Sequence, residues 1–450
     1  MDRTTLWKCA IVAVLALALL IPVTMIRDLI AERQARRNEA VGGIALGWGQ
    51  RQVLAGPYLA VPYERQWTES TQETVDGKTR ERRTERSEWL VARLPIEAIE
   101  WTVETATSEK ARGIYKARLY TAKVRAKGRI VTREQFGVGT PSGRIRWSAP
   151  RLVVGVADPR GIRSVTPLRI GEKSIAFASG SADGALASGV HAILGDVLDE
   201  RPRALDFEFA LELAGAEAFA IVPLASDTGV VMRADWPHPS FQGVFLPARH
   251  EIAADGFSAQ WRVSRYAAQG TERLASCERA KPCAALLAQQ IGVSFIEPVG
   301  IYLRLERASK YGFLFIGLTF AAFLLFELFR RLPIHPVQYT LVGLALAMFF
   351  LLLTALSEHL AFALAYVAAT LACVGLVAVY VGYVLRNAVA GLGFGAVLAS
   401  LYGALYMLLT AEDYALLAGA LLVFGLLTAL MLATRRVDWY SLTRRAPAPG

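Results

Sequence analysis

The residues best able to do chemistry in this 450-residue chain are few and scattered. Its five histidines, His191, His238, His250, His335 and His359, stand too far apart to spell a metal site. No Gly-x-Ser-x-Gly elbow, phosphate loop, His-Glu-x-x-His helix or Cys-x-x-Cys pair occurs. Acidic groups collect instead at two short turns between long apolar runs, Ser357-Glu358-His359 and Ala411-Glu412-Asp413. Charge beside hydrocarbon is costly unless paired or wet. Glu358 and His359, with Lys310 at the start of another apolar run, are therefore one candidate binding cluster, and loop residues solvated at the interface are the plainer alternative. Glu327, near Arg330, Arg331 and His335, reads as a structural ion pair. A second candidate is Asp235-Trp236-Pro237-His238-Pro239-Ser240-Phe241, where two prolines fix the backbone. Trp236, His238 and Phe241 there make either a binding ridge or a packed corner of a β domain. These six residues are binding candidates only; no catalytic residue, metal, cofactor or nucleic acid is expected.

The elements that must position them divide sharply by composition. Residues 27–309 hold 39 Lys/Arg and 33 Asp/Glu, an ordinary density for a water-soluble domain, whereas only seven of the 124 residues from 311 to 434 are charged. A wholly soluble protein, a disordered chain and a small disulfide scaffold are excluded. What remains is a membrane protein with a large hydrophilic insert. Residues 9–26 read as an uncleaved anchor, since no small-residue cleavage pattern follows them. Five further runs, at about 312–329, 338–356, 360–385, 388–409 and 414–434, bring the expected spans to six. In the fifth span Gly391, Gly395, Ala399 and Gly403 place a stripe of small residues on one helix face, which permits close packing.

Loop charges give an orientation. The turns and tail that follow spans two, four and six contain Arg330, Arg331, Arg386, Arg435, Arg436, Arg444 and Arg445; the intervening turns contain no Lys or Arg. Short cytoplasmic loops retain basic residues, so both termini are expected inside and residues 27–309 outside.

The insert reads as β-rich. Short alternating runs at 88–94, 98–104, 115–125, 151–156, 205–213, 230–236, 260–265 and 291–296 are separated by Gly, Pro and Asp. Helical signals are sparse: residues 27–47 continuing from the anchor and breaking at Gly42-Gly43, then 184–199 and 284–290. Cys277 and Cys283 are close enough to pair, and an oxidising exterior favours a small disulfide loop over two free thiols. The expected fold is thus an α+β membrane protein: an N-terminal anchor helix (1–26), a mostly antiparallel β extracytoplasmic domain of one or two sandwiches (27–309), a five-helix transmembrane bundle (310–434) and a cytoplasmic tail (435–450).

Three stretches carry a family likeness: Trp48-Gly49-Gln50-Arg51-Gln52-Val53-Leu54-Ala55-Gly56-Pro57-Tyr58-Leu59-Ala60-Val61-Pro62-Tyr63, the segment 235–247 with its Trp-Pro-His-Pro-Ser-Phe core, and 310–366 with Lys310-Tyr311-Gly312, Ile334-His335-Pro336-Val337-Gln338-Tyr339 and Leu356-Ser357-Glu358-His359. In them the chain resembles the CreD family of bacterial inner-membrane proteins. The family's Pro-Val-Asp before the second span stands here as Pro298-Val299-Gly300. The resemblance implies a Gram-negative inner-membrane protein tied to envelope integrity and colicin tolerance and made under two-component control; it implies no catalytic residues. The expected function is a non-catalytic envelope protein, embedded in the lipid bilayer, whose external domain binds a periplasmic component or lipid. The competing class is a transporter or lipid-handling protein with a ligand site between that domain and the helices.

Overall fold

The computed structural model describes residues 10–11, 14–75, 78–139, 143–277, 283–295, 300–330, 335–410 and 415–435. The chain forms two compact units, one from Met1–Glu39 with Val299–Gly450 and the other from Ala40–Pro298. The first is helical and the second is β-rich, so the protein is a mixed α+β structure.

Helix α1 (Leu20–Trp48) begins in the helical unit, and its last nine residues belong to the β unit. The expected break at Gly42-Gly43 is absent. Glycine lowers helix stability by only about 1 kcal/mol per residue, and here Val41 and Ala45 bury against Ala117, Leu119 and Ala216 of the β unit. Tertiary packing therefore carries the helix through to Trp48.

Three short helices, α2 (Arg265–Ala268), α3 (Gly270–Ala275) and α4 (Ala284–Leu287), lie in the β unit. The helical unit continues with α5 (Ile301–Arg330), α6 (Pro336–Ser357), α7 (Phe362–Val384), α8 (Ala388–Thr410) and α9 (Ala415–Thr434). Four helices among the described residues are long and apolar enough to cross a membrane: Val14–Trp48, α6, α7 and α8. The spans expected at 312–329 and 414–434 fall on α5 and α9, where several side chains, Glu327 among them, lie outside the described residues; so do Glu412 and Asp413.

Local sequence explains how α6 starts. His335 accepts from Val337 N through Nδ1, while Gln338 Oε1 accepts from His335 N, and Pro336 occupies the first helical position where its missing N–H is no loss. The small-residue stripe of α8 works as a packing face in part. A Cβ on Gly391 would sit 2.6 Å from Ala378 O of α7, and one on Gly395 would sit 2.8 Å from Ala378 Cβ, whereas Gly403 faces open space. Tyr366 of α7 donates to the Tyr402 carbonyl at 2.6 Å, and Phe349 of α6 meets the Tyr402 ring at 4.4 Å, tying three helices together.

Among the described residues eighteen strands make the β unit: β1 (Gln52–Val75), β2 (Lys78–Pro95), β3 (Ala98–Arg112), β4 (Tyr115–Val131), β5 (Arg144–Trp147), β6 (Arg151–Val156), β7 (Ile162–Val165), β8 (Leu168–Ile170), β9 (Lys173–Ile175), β10 (Ala178–Ser179), β11 (Gly189–Ile193), β12 (Ala204–Ala216), β13 (Ala218–Val222), β14 (Asp227–Ala234), β15 (Ser240–Gly243), β16 (Arg249–Ala253), β17 (Gly256–Val263) and β18 (Ile291–Ser294). One sheet runs β10-β11-β6-β1-β13-β18-β15 with β2 and β5 added to β1; the other runs β16-β17-β14-β3-β4-β12-β8-β9 with β7 added to β12. Alternation sets the inward residues: Trp101 and Val103 of β3 and Tyr120, Ala122 and Val124 of β4 point inward, and both sheets contribute to one contiguous core. The helix expected at 184–199 is replaced by β11, because Val190 and Ala192 are needed in that core.

β2 pairs with β1 over the whole of its own length, from Tyr58↔Pro95 to Val75↔Lys78. The third strand on this side, β5, stops at Gln66↔Arg144. Beyond that point the chain is a two-stranded ribbon, whose described side chains at 68–72 and 81–83 are exposed.

Candidate functional site

Glu358 caps the C-terminus of α6, where the turn 358–361 reverses the chain into α7. Its side chain is only 10 % exposed. Tyr302, in the first turn of α5, donates its hydroxyl to Glu358 Oε1 at 3.2 Å, and Arg33 of α1 places Nη1 3.7 Å from Oε2. A carboxylate so little hydrated needs such partners. Together they fasten α1, α5 and α6 within the helical unit. Arg304 adds α7, its guanidinium carbon lying 5.3 Å from the centroid of Phe362.

The structure sorts the expected residues. Glu358 joins Arg33 and Tyr302. His359 follows it in the turn with an exposed side chain and its N–H bonded to Leu356 O. Lys310 bonds Glu306 at 2.8 Å, one turn away on its own helix, and is not among the groups holding Glu358. Tyr302, Arg304 and Phe362 escape the sequence reading because their partners lie tens of positions away; Arg33 reads there, with Arg36 and Arg37, only as charge suited to the membrane surface, and its partner Glu358 lies hundreds of positions on.

In the β unit, Trp236 is buried, donates Nε1–H to His238 O at 2.8 Å, and carries Arg118 over its ring at 4.3 Å. Phe241 is half-buried against Phe257, Trp261 and His250. His238 is exposed, edge-on to Trp236. Asp235 accepts from Thr107 N at 2.8 Å, so the corner is locked to β3.

The stretch 48–63 forms a buried polar node. Asp158 accepts from Gln50 N at 2.9 Å and from Arg160 Nε at 2.8 Å, and Gln52 Nε2 donates to Asp158 O and Ala214 O, each at 3.0 Å. The Arg160 hydrogen bond holds the Asp158 carboxyl below the usual carboxylate range. Trp48 is flanked by Lys110 and Arg163 at 3.9 and 4.6 Å.

Residues 4–440 match the family described as Inner membrane protein CreD. The chain is also 32% identical to Inner membrane protein CreD of Escherichia coli (strain K12) over 438 residues, covering 97% of this chain and 94% of that protein. The chain belongs to the CreD family. It is therefore a member of an inner-membrane protein family, and its apolar helices contact lipid.

The CreD-like stretches acquire physical reasons. The Trp48–Tyr63 motif supplies the node that joins β1 to the β6–β7 connection and to β12, and Tyr58 is fully buried. Beside it Arg93 and Asp183 form an ion pair, Nε to Oδ2 2.8 Å, with side chains 6 % and 1 % exposed. Arg93 also donates to Cys277 O at 3.1 Å, and Cys277 is bonded to Cys283. The expected disulfide is thus present, anchoring a buried charge pair.

The β unit also has a shallow concavity of about 460 Å³ lined by Lys127, Arg129, Arg169, Asp206 and Glu208. Its charges are already matched: Arg129 grips Asp206 at 2.7 and 3.1 Å, and Glu208 faces Lys127 and Arg169.

Proposed function

We propose that this CreD-family protein is a non-catalytic component of envelope integrity, with six membrane spans, both termini cytoplasmic and the β unit outside the inner membrane. The β unit would bind an envelope component through the β1–β2 ribbon. The ribbon is the observation that carries this reading. A two-stranded hairpin is marginally stable in water and its edges offer unpaired backbone groups. This one extends nine residue pairs beyond β5, from Trp67↔Arg86 to Val75↔Lys78, and none of its described side chains belongs to the hydrophobic core. Its faces are polar, with Arg86 bonded to Glu69 at 3.1 Å, and Trp89 at its base is exposed. Such an arm adds ordering entropy with little burial, which is rational where it meets a partner.

Orientation in this proposal rests on the basic residues of the turns after spans two and four and of the tail, against none in the alternate turns. The test replaces residues 67–86 with an Asn-Gly turn that preserves the Gln66–Ser87 register. Membrane abundance is expected to stay normal while resistance to envelope stress and colicin tolerance are lost. Full retention of both phenotypes at normal abundance would overturn the ribbon's role.

A further inference from the structure

We infer that Arg304 and Arg307, at the start of α5, bind the phosphate of an anionic phospholipid. Both side chains are half-buried; Arg304 Nε and Arg307 Nη1 are shielded from water and have no hydrogen-bond acceptor among the described residues. A guanidinium N–H in that state is unfavourable until an acceptor reaches it. The nearby carboxylates are committed elsewhere, Glu358 to Tyr302 and Arg33, and Glu306 to Lys310.

Depth identifies the missing acceptor. Helices α6 and α7, of 22 and 23 residues, are each long enough to cross a hydrocarbon layer of about 30 Å, so the turn that joins them marks its boundary. Arg304 lies against Phe362 at that turn. Arg307 is on the same face three residues further along α5, deeper by about 4.5 Å at 1.5 Å per residue. The bilayer groups that accept hydrogen bonds at this level are lipid phosphates and esters. A phosphate matches the planar donor fork of arginine, and two such forks present a double positive charge. A headgroup with net negative charge suits it better than phosphatidylcholine, whose ammonium offsets its phosphate. The site lies wholly in the helical unit and is independent of the ribbon and of the topology proposed above.

The test is native mass spectrometry of the full-length protein from detergent micelles containing equal phosphatidylglycerol and phosphatidylcholine. The wild type is expected to retain phosphatidylglycerol about tenfold over phosphatidylcholine. R304Q/R307Q should lose that preference, and R36Q, an exposed arginine paired with Glu32, should keep it. Should the double variant fail to fold, each single glutamine variant carries the same comparison. Adding inorganic phosphate separates the two sources of the anion: retained phosphatidylglycerol supports a lipid site. Equal lipid retention by wild type and variants, no headgroup preference in the wild type, or complete displacement by inorganic phosphate would overturn the inference.

Discussion

At the scale of single residues, the strongest expectations attach to buried polar groups with named partners. Arg93→Ala leaves Asp183 as an uncompensated buried charge beside Tyr58, and breaking such a pair costs about 3–5 kcal/mol. Chemical denaturation followed by tryptophan fluorescence should show the loss; a change below about 0.5 kcal/mol, the range of neutral surface changes, would refute the burial argument. Gly161→Ala is expected to destabilise by about 1–3 kcal/mol, since its Cβ would lie 2.1 Å from Gln52 Nε2 and 2.2 Å from Ala214 O. Asp158 gives a pH dependence of defined sign. Its folded carboxyl is held below the ordinary value near 3.9, so its contribution is full above that value and is lost as pH falls through the lower folded one. Asp158→Asn should therefore flatten the acid limb of the stability profile below about pH 4, leaving its shape at neutral pH unchanged. At Glu358 the conservative change to Gln should lower stability modestly, by about 1 kcal/mol, whereas His359→Asn, at an exposed position, should stay within about 0.5 kcal/mol.

At the scale of elements, what was legible in the sequence followed local periodicity. The apolar runs at 338–356, 360–385 and 388–409 recur as α6, α7 and α8 within a few residues, and most short alternating runs recur as strands. Charged strands were illegible. Residues 64–87 carry no apolar alternation, in keeping with the exposure of the described ribbon side chains at 68–72 and 81–83, and their pairing is visible in the register alone. The reverse error occurred at 184–199, which reads as a helix in sequence but in which Gly189–Ile193 pairs as a strand with the neighbouring β6. The candidate site was half legible: Glu358 stood out as charge beside an apolar run, while Tyr302 and Arg33 reach it only through tertiary packing. The disulfide matches the expectation from the short Cys277–Cys283 spacing, and it closes a short loop next to Arg93. Replacing Cys277 and Cys283 with serine should cost about 2 kcal/mol by loop-closure entropy and loosen the Arg93 contact to Cys277 O. Mass spectrometry of non-reduced protein finding Cys277 and Cys283 both as free thiols would contradict the bonded form.

At the scale of the whole molecule, the chain has a lipid-contacting helical unit and a β unit, and in the proposed function the ribbon of the β unit meets an envelope component outside the inner membrane. The family supports the membrane, the core and register support the β unit, and the sidedness rests on loop charge. Sidedness is therefore the point to measure. Ser70→Cys, introduced together with Cys9→Ser, places a thiol on the exposed ribbon; Cys277 and Cys283 are bonded to each other, and Cys373 is buried. An impermeant maleimide added to intact spheroplasts should label Ser70→Cys without lysis and should label Arg386→Cys only after lysis. Labelling of Ser70→Cys only after lysis would place the ribbon in the cytoplasm and contradict the account.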